Sequence, residues 1–166
     1  MGRKSKGQTA CVQNVINTGH KILESGVDII LGNHPHTLQT AERHEWIDKA
    51  SGEKKNGLIL YALGNFSIVE TPVLNSSLAA LASITVQKGE FAGREQTLIT
   101  GVKLLPVYHY LLMSDNRCIE ARMLRLGKLE KQVSAERCPY AVTKKQKANI
   151  ERLRRLSERL MPYAFK

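Results

Sequence analysis

Two short apolar runs, Val27–Leu31 (VDIIL) and Leu58–Ala62 (LILYA), each end in a turn: Gly32-Asn33-His34-Pro35-His36 after the first and Leu63-Gly64-Asn65-Phe66 after the second. Runs of this length, bounded by turn residues and rich in branched apolar side chains, form buried strands. Ahead of the first run, Cys11, Val12, Val15, Ile16, Ile22 and Leu23 recur at helical spacing within Gln8 to Glu24, and Gly26 stands where a helix commonly stops. The order helix, strand, loop predicts an α/β unit. In such a sheet adjacent strands bring their C-terminal loops side by side, at the edge where ligands bind.

The remaining pattern is extended and then helical. Leu38–Ile47 reads as a second extended segment, followed by the polar connection Asp48–Asn56. Leu78–Gln87 and Gln96–Val107 read as an antiparallel hairpin around Lys88–Arg94, and Val107–Leu126 as further extended chain. From Lys144 to Leu160, Ile150, Leu153, Leu156 and Leu160 fall on one stripe while Arg152, Arg154, Arg155 and Arg159 lie off it, which predicts a terminal amphipathic helix. The chain of 166 residues divides in this reading into a domain over 1–142 and a basic helix over 143–166.

No apolar run approaches the roughly 20 residues that a membrane helix requires. The basic start MGRKSKGQTA leads into no apolar stretch, so neither a signal peptide nor an anchor is read there and a cytoplasmic location is expected. Cys11, Cys118 and Cys138 lack CxxC spacing and are expected to be unpaired thiols, buried or idle. Charge is uneven: residues 117–166 hold 14 Lys or Arg against 5 Asp or Glu, +9 of the net +10. An anionic polymer is therefore a candidate partner for the tail, although charge alone names no ligand. Nothing interleaves aromatic residues with those cations as base stacking would require.

His34 and His36 carry the clearest chemistry. In an extended segment residues two apart point to the same side, so the two imidazoles can converge on a metal, with Pro35 fixing its own φ and biasing His34 toward an extended conformation. Neutral imidazole suits zinc, iron, nickel and copper, whereas manganese and magnesium call for added oxygen donors. His20, His44 and His109 are expected to be structural, and Tyr61 and Phe66 to belong to the core.

The segment from Gly26 to Gln39, GVDIILGNHPHTLQ, resembles the pattern GADxIIGxHPHxxQ of the CapA, or poly-gamma-glutamate capsule synthesis, family, and Leu60–Phe66, LYALGNF, resembles its IxYSLGNF. The resemblance implies an α/β chain forming the C-terminal portion of a calcineurin-like metallophosphoesterase sandwich, mixed sheets with flanking helices. It implies a role in capsule or poly-gamma-glutamate synthesis. His34 and His36 would be metal ligands for Mn, Fe or Zn, with Asn33, Gln39 and Asn65 supporting them from the pocket or behind the ligands.

The family's other ligand motifs, a GDxM-like loop and Asn-Leu-Glu, Asn-Asn-His and His-Trp-Gly-Glu segments, do not occur here. Trp46, in His44-Glu45-Trp46, follows the HPH motif instead of preceding it. The resemblance therefore implies a partial metal site, assigns no catalytic residue, and makes a missing N-terminal half or capsule-synthesis machinery the expected partner. The alternatives are a noncatalytic basic module for an anionic polymer and an inactive remnant of a truncated gene.

Overall fold

The computed structural model describes residues 11–66, 73–91, 93–115 and 117–161, and the side chains of 91 and 94–96 fall outside that description. Helix α1 spans Gln13–Glu24, and strands β1, β2 and β3 span Ile29–Leu31, Ala41–Ile47 and Lys54–Leu60. β3 is central: β1 pairs with it in parallel, Ile30 opposite Ile59, and β2 in antiparallel register, His44 opposite Gly57. α1 lies against this sheet through Leu23, which meets Ile59 and Tyr61 in a small core edged by Cys11, Ile16, Ile30 and Trp46. The alternation along β2 is regular, with Glu42, His44 and Trp46 turned inward and Arg43, Glu45 and Ile47 outward.

The second sheet is antiparallel throughout, in the order β4 (Leu78–Phe91), β5 (Arg94–Ser114), β6 (Arg117–Arg125). A short 3₁₀ turn, Leu74–Ser77, leads into it, and helices α2 (Leu126–Ser134) and α3 (Lys144–Leu160) follow. These helices pack on the sheet: Leu126, Leu129, Ile150, Leu153 and Leu156 share one buried cluster with Leu78, Ala80, Tyr108 and Tyr110. Arg154 of α3 fastens the helix pair, its Nε donating to Glu130 at 3.1 Å and its Nη1 reaching Glu158 at 2.7 Å. The architecture is α/β, two three-stranded sheets with three helices among the described residues.

α3 starts on a reciprocal cap. The Thr143 hydroxyl accepts from the Gln146 amide at 3.2 Å, and the Gln146 side chain accepts from the Thr143 amide at 2.9 Å. Two amides that the helix itself cannot satisfy are thereby bonded. Thr143→Ala is expected to cost about 1 kcal/mol, read as a lower urea midpoint at unchanged m-value.

Several expectations change. The terminal helix stands at the expected residues, but α2 was not foreseen, because nine residues with Gly127 second give little periodicity. The hairpin turn is tighter than Lys88–Arg94, since pairing runs through to Phe91 opposite Arg94. The first strand is not fully buried: Val27 is 39% and Leu31 61% exposed. Phe66 is exposed where core was expected, whereas Tyr61 is buried. The cysteines are unpaired, as expected of idle thiols; Cys118 is exposed and Cys11 and Cys138 are partly covered. The part of the first helical pattern before residue 11 lies outside the described residues.

Candidate metal centre

The two motif loops meet because β1 and β3 run parallel and side by side. Leaving β1, the Gly32 amide donates to Leu60 O at 2.7 Å. A Cβ at position 32 would fall 2.3 Å from Tyr61 O, so only glycine lets the chain pass so close to β3. Beyond the histidines the Gln39 amide donates to Ala62 O at 3.0 Å, and Leu38 forms a bridge with Leu63. On the other loop Gly64 takes φ +78°, and the Leu63 carbonyl accepts from Ala80 at 2.9 Å. Leu38 is buried in the larger core with Leu63 packed on it, so the loops sit where the two sheets join.

Between those anchors the backbone departs from the expected extended course. His34 has φ +94° and His36 φ +58°, both in the left-handed half of backbone space. Strand alternation therefore does not set the two side chains on one side, and the bias of Pro35 on its predecessor is overridden by pairing on both sides of the turn. Such conformations cost on the order of 1–3 kcal/mol each and persist where surroundings over-determine them, commonly at functional sites. The two rings end 6.4 Å apart between centroids, tilted by 43°. Both histidines and Asn33 are exposed.

Asn65 holds one of those rings from behind. It is 5% exposed; its Nδ2 donates to Ser76 O at 3.3 Å, and its Oδ1 lies 2.8 Å from His36 Nδ1. A carbonyl can only accept, which fixes the amide's orientation and leaves Oδ1 to accept from the imidazole. The proton of neutral His36 therefore resides on Nδ1, and Nε2 keeps its lone pair for a ligand. Gln39 is engaged elsewhere, its Oε1 accepting from the Cys11 thiol at 3.2 Å, so it ties the loop's exit to the start of α1.

A second group of donors lies between α1 and β2. His20 Nε2 is 2.7 Å from Glu42 Oε1, and His44 Nε2 is 3.1 Å from Glu24 Oε1. The His20 and His44 rings stack at 3.8 Å, and His44 stacks in turn on Trp46. The Tyr61 hydroxyl donates to Glu42 Oε2 at 2.6 Å. Partial burial works to raise the Glu42 pKa, but bonds from Tyr61 and His20 outweigh it and hold the carboxyl below its ordinary value. Burial, and after it the bond to Glu42, pushes the Tyr61 phenol upward.

Among the described residues, His20, Glu42 and His44 are the only three His, Cys, Asp or Glu side chains whose ligand atoms all lie close enough to share an ion, within 4.8 Å of one another. No such third donor joins His34 and His36 there. The sequence alone presents His20 and His44 as separate structural histidines. The missed signal was spacing: His20 and Glu24 share a helix face, while Glu42, His44 and Trp46 share a strand face.

No curated protein and no solved structure gives a significant match to the chain. Residues 5–69 match the family model described as Bacterial capsule synthesis protein PGA_cap, a stretch that contains both motifs and both loops. Over residues 5–69, with its HPH and LGNF loops, the chain is similar to the bacterial capsule synthesis family.

Proposed function

We propose that this capsule-synthesis family chain uses His34 and His36 as ligands for divalent metal within a phosphoester-handling site. The observation that carries the reading is the His36–Asn65–Ser76 chain, which frees Nε2 and fixes the ring. Metal-bound histidines almost always give their other ring N–H to such a partner, which raises ligand basicity and sets orientation.

The ring separation bears on how metal would fit. With metal–nitrogen bonds of about 2.1 Å, an imidazole centroid sits about 3.2 Å from its ion, so two rings on one tetrahedral ion have centroids roughly 5.2 Å apart. The 6.4 Å seen here exceeds that separation, so the two rings would share one ion only after a modest inward turn of one of them. Metal in such a site would supply Lewis acidity toward a phosphoryl oxygen and lower the pKa of bound water. The chain's own contribution is to orient His36 through Asn65 and to hold the two exposed rings on a turn pinned at both ends.

Two imidazoles without carboxylate or amide bridges make a weak site, and turnover by this chain alone is expected to be low. Titration of Mn²⁺ or Zn²⁺ should show affinity lowered at least about tenfold by His34→Ala and by His36→Ala. Identical isotherms for wild type and both variants would remove the proposal, and robust phosphoester hydrolysis lost in His34→Ala would overturn the expectation of low turnover.

A second reading concerns α3, whose Lys144, Lys145, Lys147, Arg152 and Arg159 are exposed while its apolar stripe is buried in the larger core. That packing makes deletion of the helix a stability experiment, so charge must be removed without truncation. If these cations hold an anionic polymer, changing Lys144, Lys145 and Lys147 to Gln should lower the salt slope of single-stranded DNA or polyglutamate binding by about 2. The absence of salt-sensitive binding in the wild type would leave the helix face merely solvated.

A further inference from the structure

We infer that His20, Glu42 and His44 form a second site, for a divalent transition-metal ion of the zinc class, independent of the HPH loop. Two imidazoles and one carboxylate are a donor set that suits zinc, cobalt or nickel better than magnesium or calcium, which require more oxygen. Each donor is placed by regular structure: His20 by α1, and Glu42 and His44 by same-face positions of β2. Glu24, 3.1 Å from His44 Nε2, holds that ring from the helix side.

The carboxylate is prepared for this use. Tyr61 occupies Glu42 Oε2, so Oε1 is the oxygen presented to His20. A hydroxyl bonded to the outer oxygen of a ligating carboxylate is the kind of support that orients metal ligands. The proton shared between His20 Nε2 and Glu42 Oε1 would give way to the ion, opening their 2.7 Å separation toward the roughly 3.4 Å expected between two ligands on a tetrahedral zinc.

The His20 and His44 rings lie within 8° of parallel at 3.8 Å, which runs their nitrogens side by side instead of converging. Capture therefore requires His44 to turn away from its stack. The side chains of His20, His44 and Glu42 are 25%, 18% and 32% exposed, so an ion and a completing water can reach them.

The test uses the full chain carrying His34→Ala and His36→Ala, which silences the loop, with Co²⁺ and Zn²⁺ as probes. The expected result is one equivalent of metal, visible Co²⁺ absorption of four- or five-coordinate type, and a melting temperature raised by saturating Zn²⁺. Adding His44→Gln or Glu42→Gln should lower affinity at least about tenfold and abolish the thermal shift. Circular dichroism keeps loss of fold apart from loss of ligand, and should Glu42→Gln unfold, His44→Gln decides alone. No binding by the loop-silenced chain, or affinity unchanged in a folded His44→Gln variant, overturns the site and makes the cluster only the contact that docks α1 on β2. Because the two sites share no residue, this failure leaves the reading of the HPH loop standing.

Discussion

Gly32→Ala should destabilise the protein by about 3 kcal/mol, near the upper end for overpacking, and lower its melting temperature by roughly 6–12 °C. The added Cβ would meet Tyr61 O at 2.3 Å and Leu60 O at 3.0 Å, and both are backbone atoms at the end of the central strand. Neither can yield as a flexible side chain would. Moving the loop aside breaks the Gly32 to Leu60 bond, and that bond starts the turn carrying both histidines. Gly127→Ala is the control: nothing lies within 4 Å of its Cβ position and it sits in α2, so that change should be neutral or stabilising by a few tenths to about 1 kcal/mol. Thermal melts of the two variants compare close approach with simple loss of glycine. Equal, small shifts would contradict the packing described here.

Leu153→Ala should cost about 2–5 kcal/mol, the range for truncating a fully buried leucine. Leu153 is 0% exposed, in the cluster where α2, α3 and the second sheet meet. The neighbouring Arg152 is exposed, and Arg152→Ala should stay within about 0.5 kcal/mol of wild type. Urea unfolding measures both. A Leu153 variant as stable as Arg152→Ala would mean that α3 is only loosely attached and not part of the core.

Patterning made much of this fold legible. The stripe Ile150, Leu153, Leu156 placed α3, and two apolar runs placed β1 and β3 beside each other with their loops at one edge. The turn at the site was not legible, because the positive φ values of His34 and His36 come from pairing on both flanks, Gly32 with Leu60 and Gln39 with Ala62. Local preference, including that imposed by Pro35, points the other way. The stack of His20, His44 and Trp46 was hidden for a related reason: its members come from a helix and a strand separated by the whole HPH loop, and only the fold superposes their faces. Asn65 could be suspected from its motif, but its hold on His36 depends on Ser76 O, which arrives from the turn before β4.

The most direct test of the central claim is a long-range ¹⁵N–¹H spectrum of the histidine rings at pH 8, recorded without metal and then with Zn²⁺. The account predicts that metal-free His36 carries its proton on Nδ1 and that Zn²⁺ moves the resonances of His36 Nε2 and of a His34 ring nitrogen. A proton on His36 Nε2, or His34 and His36 resonances unmoved at saturating Zn²⁺, would contradict it.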